Sequence, residues 1–333
     1  MHILRNLVQM TCQRDHLRLE ISVLSTFLEL PHITQVRALE LTKLEQQTWV
    51  RPRTWQEAGQ LISSEIEFAQ DPRVFPLSQL PYLQTCIEGR LTQIQHSTDQ
   101  GEHLIWLPVW MHEQVHVCIE VTQSQPFTEN SLDVITGVFK VYQNYQSLLD
   151  YSERDALTGL LNRKTFDEHL LRFASSVLAS NANASDMPWL AVIDIDHFKL
   201  VNDRFGHLFG DEVLILVANL LRSAFGPQHR IFRFGGEEFV VLMPPMSKAA
   251  AQTALENFRA MVARHNFPQV GSVTVSVGFA GAKLCSPVEI LGQADQALYY
   301  AKEHGRNQVC HFEALQLDGL LRTQVSHDDV ELF

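Results

Sequence analysis

Three acidic residues carry the most pointed chemistry in this sequence. Asp194 lies inside the run Val192-Ile193-Asp194-Ile195-Asp196, and Glu237 and Glu238 directly follow Gly235 and Gly236. A carboxylate set in a strand-like apolar run is costly to bury unless it is paired or metal-bound. Two successive glutamates crowd negative charge at a tight turn, and Glu has little preference for strands. A divalent cation would relieve the crowding, and glycines without side chains let phosphates approach the backbone. Hard oxygen ligands favour magnesium or manganese over zinc. Plainer readings stand beside these. A Gly-Gly pair between strand-like runs is a hairpin signal, and Asp196 is as readily the cap of a following helix as a ligand.

Such carboxylates need a strand end held beside a hairpin. The pattern from residue 151 onward predicts a helix over Arg163–Leu178, a polar loop over Ser180–Pro188 and a strand over Trp189–Ile195. Helical segments follow over Phe198–Asp203 and Glu212–Phe225, then strands over Arg230–Phe234 and Phe239–Met243. A helix (Lys248–His265), a strand (Val273–Ala280), a helix (Val288–His304) and a strand (Asn307–Phe312) complete the series. The order is that of a βαββαβ core, which sets its first strand beside the central hairpin.

The N-terminal part reads as a separate domain. A helix is expected around Leu4–Leu24, a loop region around Pro72, Pro76 and Pro81, and strands over Leu104–Val109 and Val115–Val121 with a turn at Met111–Gln114. Between Glu129 and Asp150, Leu132, Ile135, Phe139, Tyr142 and Leu149 recur at helical steps, with Gln146 interrupting the seam. This is either an amphipathic helix on its own domain or one that joins two domains and pairs with its twin; its position favours the second.

With 333 residues, 45% hydrophobic and 19% charged, the chain suits two cored domains. A net charge of −12 argues against a nucleic-acid partner, which calls for a basic footprint. Five scattered cysteines without a C-x-x-C pair point to a reducing compartment. With no apolar run near ~20 residues and no signal-peptide pattern, the expectation is a cytoplasmic protein with no membrane partner.

Asp155-Ala-Leu-Thr-Gly-Leu-Leu-Asn-Arg163, Asp194-Ile-Asp-His-Phe-Lys199, Asn202-Asp-Arg-Phe-Gly-His207, Gly235-Gly-Glu-Glu-Phe239 and Ala294-Asp-Gln-Ala-Leu-Tyr-Tyr-Ala-Lys302 with Gly305-Arg306-Asn307 occur in this order. Together they resemble the GGDEF family of diguanylate cyclases over about half the chain, with Glu at the third position of the namesake motif. The resemblance implies an α/β (α+β) architecture. A ferredoxin-like, palm-like βαββαβ cyclase domain would occupy residues 155–313, with a tail over 314–333. A signalling helix (131–154) would join it to an N-terminal α/β domain (1–130) that is similar to a GAF-type sensory fold, with a PAS-like fold as the rival.

The implied activity condenses two GTP into cyclic di-GMP and two pyrophosphates, with Mg2+ (or Mn2+) as cofactor. By the same resemblance Asp194, the Ile195 carbonyl, Glu237 and Glu238 hold the metal, and Glu237 is the catalytic proton acceptor. Asn202 and Asp211 read guanine, with His207 near the ligand; a carboxylate suits guanine's two adjacent donors. Lys199, Lys302, Arg306 and the backbone near Phe198 hold the phosphates, although the lysines alone read as solvated helix faces. The implied partners are GTP and a second copy of the chain, met through the N-terminal domain and the signalling helix. The sensory domain would bind an unknown small molecule. A degenerate domain that binds GTP or cyclic di-GMP without catalysis is the alternative.

The family's product-inhibition pair, Arg-x-x-Asp, is replaced here by Gly226 and His229. One motif misleads. His112-Glu-Gln-Val-His116 matches H-E-x-x-H, which binds zinc only on a helix, and here it overlaps the Val115–Val121 strand. His103, His112, His116, Trp106 and Trp110 offer side chains for a pocket, with an aromatic core as the plainer account.

Overall fold

A computed structural model describes residues 2–44, 47–64, 66, 68–111, 113–171, 186–226, 228–282 and 286–321. The chain divides into two units, Met1–Ser152 and Glu153–Phe333.

The first unit opens with α1 (His2–Thr11) and α2 (His16–Leu28) where one helix is expected. The break is chemical: the Asp15 carboxylate accepts the Arg18 N–H at 2.8 Å and starts a new helix. β1 (Ile33–Leu44), β2 (Gln47–Glu57), β3 (Gln60–Ser63) and β4 (Phe75–Pro76) follow, then α3 (Pro81–Glu88). After β5 (Ile94–Ser97), β6 (His103–Met111) and β7 (Gln114–Gln123) comes α4 (Glu129–Glu153). The sheet runs β3-β2-β1-β7-β6-β5, with β4 on β2, and every pairing is antiparallel. β1 and β2 hide from a periodicity reading because charges interrupt them. Four of these charges have partners: Arg37 Nη2 meets Glu120 at 3.0 Å, Arg51 meets Glu40 at 2.7 Å, and Arg53 pairs with the buried Glu20.

The seam of α4 turns inward. Ile135, Val138, Phe139, Tyr142 and Leu149 are buried in a core with α1, α2 and the sheet. Gln146 is buried too, its Oε1 2.9 Å from His16 Nδ1. The helix therefore uses its apolar face within its own unit, which corrects the expectation that this face pairs with a twin. The H-E-x-x-H segment is not helical either: β6 ends at Met111, β7 starts at Gln114, and Glu113 sits at φ 64. His112 lies outside the described residues. Trp106 is core, its indole donating to Glu120 at 2.7 Å.

The second unit holds β8 (Leu161–Asn162), β9 (Met187–Ile195), α5 (Phe198–Phe205), α6 (His207–Ala224), β10 (Arg230–Gly235) and β11 (Glu238–Met246). α7 (Lys248–Arg264), β12 (Val275–Gly281), α8 (Pro287–Glu303), β13 (Val309–His311) and α9 (Phe312–Leu317) complete it. The sheet order is β13-β12-β9-β11-β10-β8. Its inner four strands are all antiparallel and give the order 4-1-3-2 of a ferredoxin-like βαββαβ core. Helix Arg163–Leu178 is seen as a helical stretch over 166–171, and residues 172–185 lie outside the description. α6 begins at His207, not Glu212, because Gly206 at φ 90 lets the chain turn directly from α5 into the next helix. The last strand stops at His311, since Phe312 begins α9 and packs in the core.

Strand alternation splits the core between two faces. Ala191, Ile193 and Ile195 face α6 and α7, whereas Leu190 and Val192 face α8. Asp194 shares the second parity and so faces α8.

Candidate functional site

Register brings the carboxylates together. Glu238 is the direct cross-strand partner of Asp194, and the Ile195 N–H reaches the Glu237 carbonyl at 3.4 Å. Gly236 at φ 47 makes the tight turn between β10 and β11 that allows this. From the opposite side α8 delivers Lys302, whose Nζ lies 2.8 Å from Asp194 Oδ2. The helix comes this close because β12 carries Gly278 beneath it. A Cβ there would meet Leu298 N at 2.1 Å and Ala294 O at 2.2 Å.

Burial pushes the Asp194 carboxyl up to about 6; Lys302 opposes this, while Glu237 and Glu238 add to it. Glu238 is pushed up as well, first by the enclosing protein and then by Asp295 and Glu237, with Lys302 opposing. Enclosure also raises Asp295, with Lys302 opposing. Asp295 is absent from the sequence-derived site and joins it only through the fold, seven residues and so about two turns before Lys302 on α8.

Among the described residues, no three His, Cys, Asp or Glu are already arranged around a metal-sized centre. The donor set nevertheless suits a hard cation. Repelling oxygens gather at one strand end, and the cation that answers Asp194 is the Lys302 ammonium.

The helices beside this strand end place the remaining candidates. Phe198 is buried at the start of α5, whose first-turn N–H groups point out of the helix. Lys199, His207, Asp211 and Arg306 are exposed, and Asn202 is half-buried. Asn202 packs against Gly210 of α6: a Cβ at Gly210 would meet Asn202 Oδ1 at 2.0 Å and Phe198 Cζ at 3.2 Å. His207 and Asp211 share a face of α6 at i, i+4, next to that contact. Gly210 is thus a further residue of the site; its spacing before Asp211 was visible, but the close approach was not.

Asp196 does not cap α5, where His197 takes the N-cap position without a side-chain bond. Instead its buried carboxylate accepts Ser276 Oγ at 2.6 Å, Thr274 Oγ1 at 2.7 Å and the Asn307 N–H at 3.0 Å. The arginines near the replaced inhibition pair are also engaged. Arg233 holds Asp155 at 3.0 Å and the Gly236 carbonyl at 2.9 Å, and Arg222 donates to the Thr158 carbonyl. His229 lies against Phe225 with Nδ1 3.2 Å from the Gly226 carbonyl, and burial lowers its pKa.

Residues 152–308 match the family model for the diguanylate cyclase GGDEF domain. Diguanylate cyclase DgcP of Pseudomonas aeruginosa is 43% identical over 159 residues, covering 46% of this chain and 23% of that protein. Diguanylate cyclase VdcA of Vibrio cholerae is 31% identical over 198 residues, covering 57% of this chain and 56% of that protein. The chain thus spans between about a quarter and just over half the length of these relatives. The coiled-coil and GGDEF-domain structure of DgcB from Caulobacter crescentus, in complex with c-di-GMP, is similar with 33% identity over 55% of this chain and 97% of that one, at a TM-score of 0.49.

Proposed function

From a chain whose residues 152–308 are a GGDEF domain, we propose a diguanylate cyclase that condenses two GTP into cyclic di-GMP and two pyrophosphates. The observation that carries this reading is the cross-strand pair Asp194–Glu238, set beside Glu237 and answered by Lys302. Asp194, the Ile195 carbonyl, Glu237 and Glu238 would hold a divalent cation, magnesium or manganese. When bound, the cation would neutralise the triphosphate and lower the pKa of the attacking hydroxyl.

The chain's own residues do the rest. Arg306, Lys199 and the first N–H groups of α5 bind β- and γ-phosphate oxygens. Lys302, whose Nζ lies 2.8 Å from Asp194, would also reach a phosphate oxygen at this strand end. Asn202 and Asp211 orient guanine, and adenine lacks the paired donors that Asp211 accepts. Each 3′-hydroxyl forms a bond to the α-phosphorus of the other GTP, the α-phosphorus–bridging oxygen bond breaks, and pyrophosphate leaves with the electron pair. Glu237 takes the hydroxyl proton.

Two copies must face each other, since each site holds half of the product. The first unit is a sensory domain of GAF type. Its antiparallel sheet, flanked by α1, α2 and α4, supports that assignment, and α4 ends at Glu153, the first residue of the second unit. Pairing of copies would use the outward side of α4, where Leu148 and Tyr151 are exposed. No helix among the described residues is long and apolar enough to cross a membrane.

The test is incubation of the chain with GTP and magnesium chloride, with products resolved by chromatography. Cyclic di-GMP is expected. Bound but unconverted GTP would instead indicate a binding module, and a different product would indicate another nucleotidyltransferase.

A further inference from the structure

Arg306 sits in an unusual stretch of backbone. Gly305, Arg306 and Asn307 all have positive φ, at 111, 61 and 45. Asn tolerates this left-handed region, but a long side chain such as that of Arg306 is disfavoured there and persists where the surrounding structure holds it. Part of the hold is local. The Arg306 N–H donates to the Ala301 carbonyl at 2.9 Å, closing α8 with a glycine-based C-cap. Gln308 Nε2 donates to the Ala301 and His304 carbonyls at 2.8 and 2.9 Å.

The remaining hold comes from elsewhere in the fold. Asp196 Oδ2 accepts the Asn307 N–H at 3.0 Å, and Arg259 of α7 donates to Asn307 Oδ1 at 2.7 Å. Asp196 is itself fixed: it is 6% exposed, and it bonds Thr274 and Ser276 through its carboxylate and the Thr274 carbonyl through its N–H at 2.9 Å. It stands two residues beyond Asp194 on the same chain segment. One rigid carboxylate therefore links the strand end that carries Asp194 and Ile195 to the turn that carries Arg306.

We propose that Asp196 is a positioning residue, which locks the Gly305–Asn307 turn against the end of β9 and thereby sets Arg306 at the distance required by a nucleotide's outer phosphates. This rests on the GTP reading above. A carboxylate suits the task because a single group accepts three donors at once, and charge-assisted bonds of this kind are short and strong. Without it the turn keeps its helix cap, the Arg259 bond and the bond from the Val277 N–H to the Gln308 carbonyl at 2.9 Å, but loses its direct tie to the segment that carries Asp194.

The test compares dissociation constants of the full chain, in magnesium chloride, for GMP and for the GTP analogue with a methylene between the α- and β-phosphorus atoms, which cannot be cyclised. The ratio of the two isolates the outer phosphates. Arg306→Ala should cut that ratio by about ten-fold. Asp196→Ala should cut it comparably with GMP affinity unchanged, and the double variant should lose no more than about two-fold beyond either single one. Asp196→Asn should recover much of the loss, because its amide oxygen can accept from Asn307 while its NH2 donates to the Ser276 hydroxyl. Asp196→Ser, too short to reach Asn307, gives the same readout where the alanine variant does not fold.

An unchanged ratio in Asp196→Ala, equal weakening of both nucleotides, or multiplying losses in the double variant would overturn the proposal alone. A wild-type chain that binds neither nucleotide would overturn it together with the reading on which it rests.

Discussion

Lys302 Nζ lies 2.8 Å from Asp194 Oδ2, directly beside the position where Glu238 pairs across the sheet with Asp194. The ammonium answers a carboxylate that the fold buries and that two neighbouring glutamates repel. A side chain thus offsets in part a charge that a bound cation would offset more fully.

A pH dependence of stability follows. Asp194 has a folded-state pKa of about 6, raised from 3.8. Between those values the folded state holds a proton that the unfolded state has released, so stability falls as pH rises through the window. The penalty is absent below pH 3.8 and fully present above about 6. In metal-free buffer, Asp194→Asn should therefore be more stable than wild type at pH 7, by up to about 3 kcal/mol, and the difference should vanish near pH 4. Magnesium should stabilise wild type and not the variant. Urea unfolding midpoints at three pH values would show this; a difference that does not change with pH would contradict it.

Gly278 is the seat of α8. An alanine Cβ would run into the backbone of Leu298 and Ala294, and overpacking typically costs about 1–3 kcal/mol. Gly278→Ala should lose at least that much and also lift Lys302 from Asp194. Denaturation reads the first effect. The second should appear as a weakened GTP KM, which would stay at its wild-type value if Lys302 had no part in binding.

Gly210→Ala would drive a methyl group into the Asn202 amide. Preference for GTP over ATP, measured as a ratio of kcat/KM, should drop by roughly ten-fold or more. Asp211→Ala should lower the same ratio. If both variants keep the wild-type preference, guanine is read elsewhere.

How much of this was legible before folding depended on distance along the chain. Asp194 and the Glu237–Glu238 pair declare themselves because the acidic residues stand in local conflict with their strand and turn contexts. The βαββαβ order was also local, written in alternating periods. The Asp194–Lys302 bond was not legible, because it requires β12 to seat α8 on a residue without a side chain. Asp196 was ambiguous for the same reason: its partners Thr274, Ser276 and Asn307 come from two other segments. In the first unit, β1 and β2 were missed because Arg37, Glu40, Arg51 and Arg53 break the alternation and find partners only in the folded sheet.

Regulation should bypass the usual product site. His229 and Gly226 bond each other, while Arg222 and Arg233 hold Thr158, Asp155 and the Gly236 carbonyl. Cyclic di-GMP should therefore not inhibit the full chain at micromolar concentration. A chain beginning at Ser152 should be slow when dilute and recover as concentration rises, because in the proposed reaction each site would supply half of the product. Specific activity that equals the full chain's and does not vary with concentration would contradict this.

The most direct measurement is product stoichiometry for wild type and Glu237→Gln at saturating magnesium and GTP. Wild type should release two pyrophosphates per cyclic di-GMP. The variant should fold and turn over more than ~100-fold more slowly, since losing even an outer partner of a metal ligand costs ~10–100-fold. Near-normal turnover by Glu237→Gln, or GTP consumed by wild type without cyclic di-GMP, would contradict this.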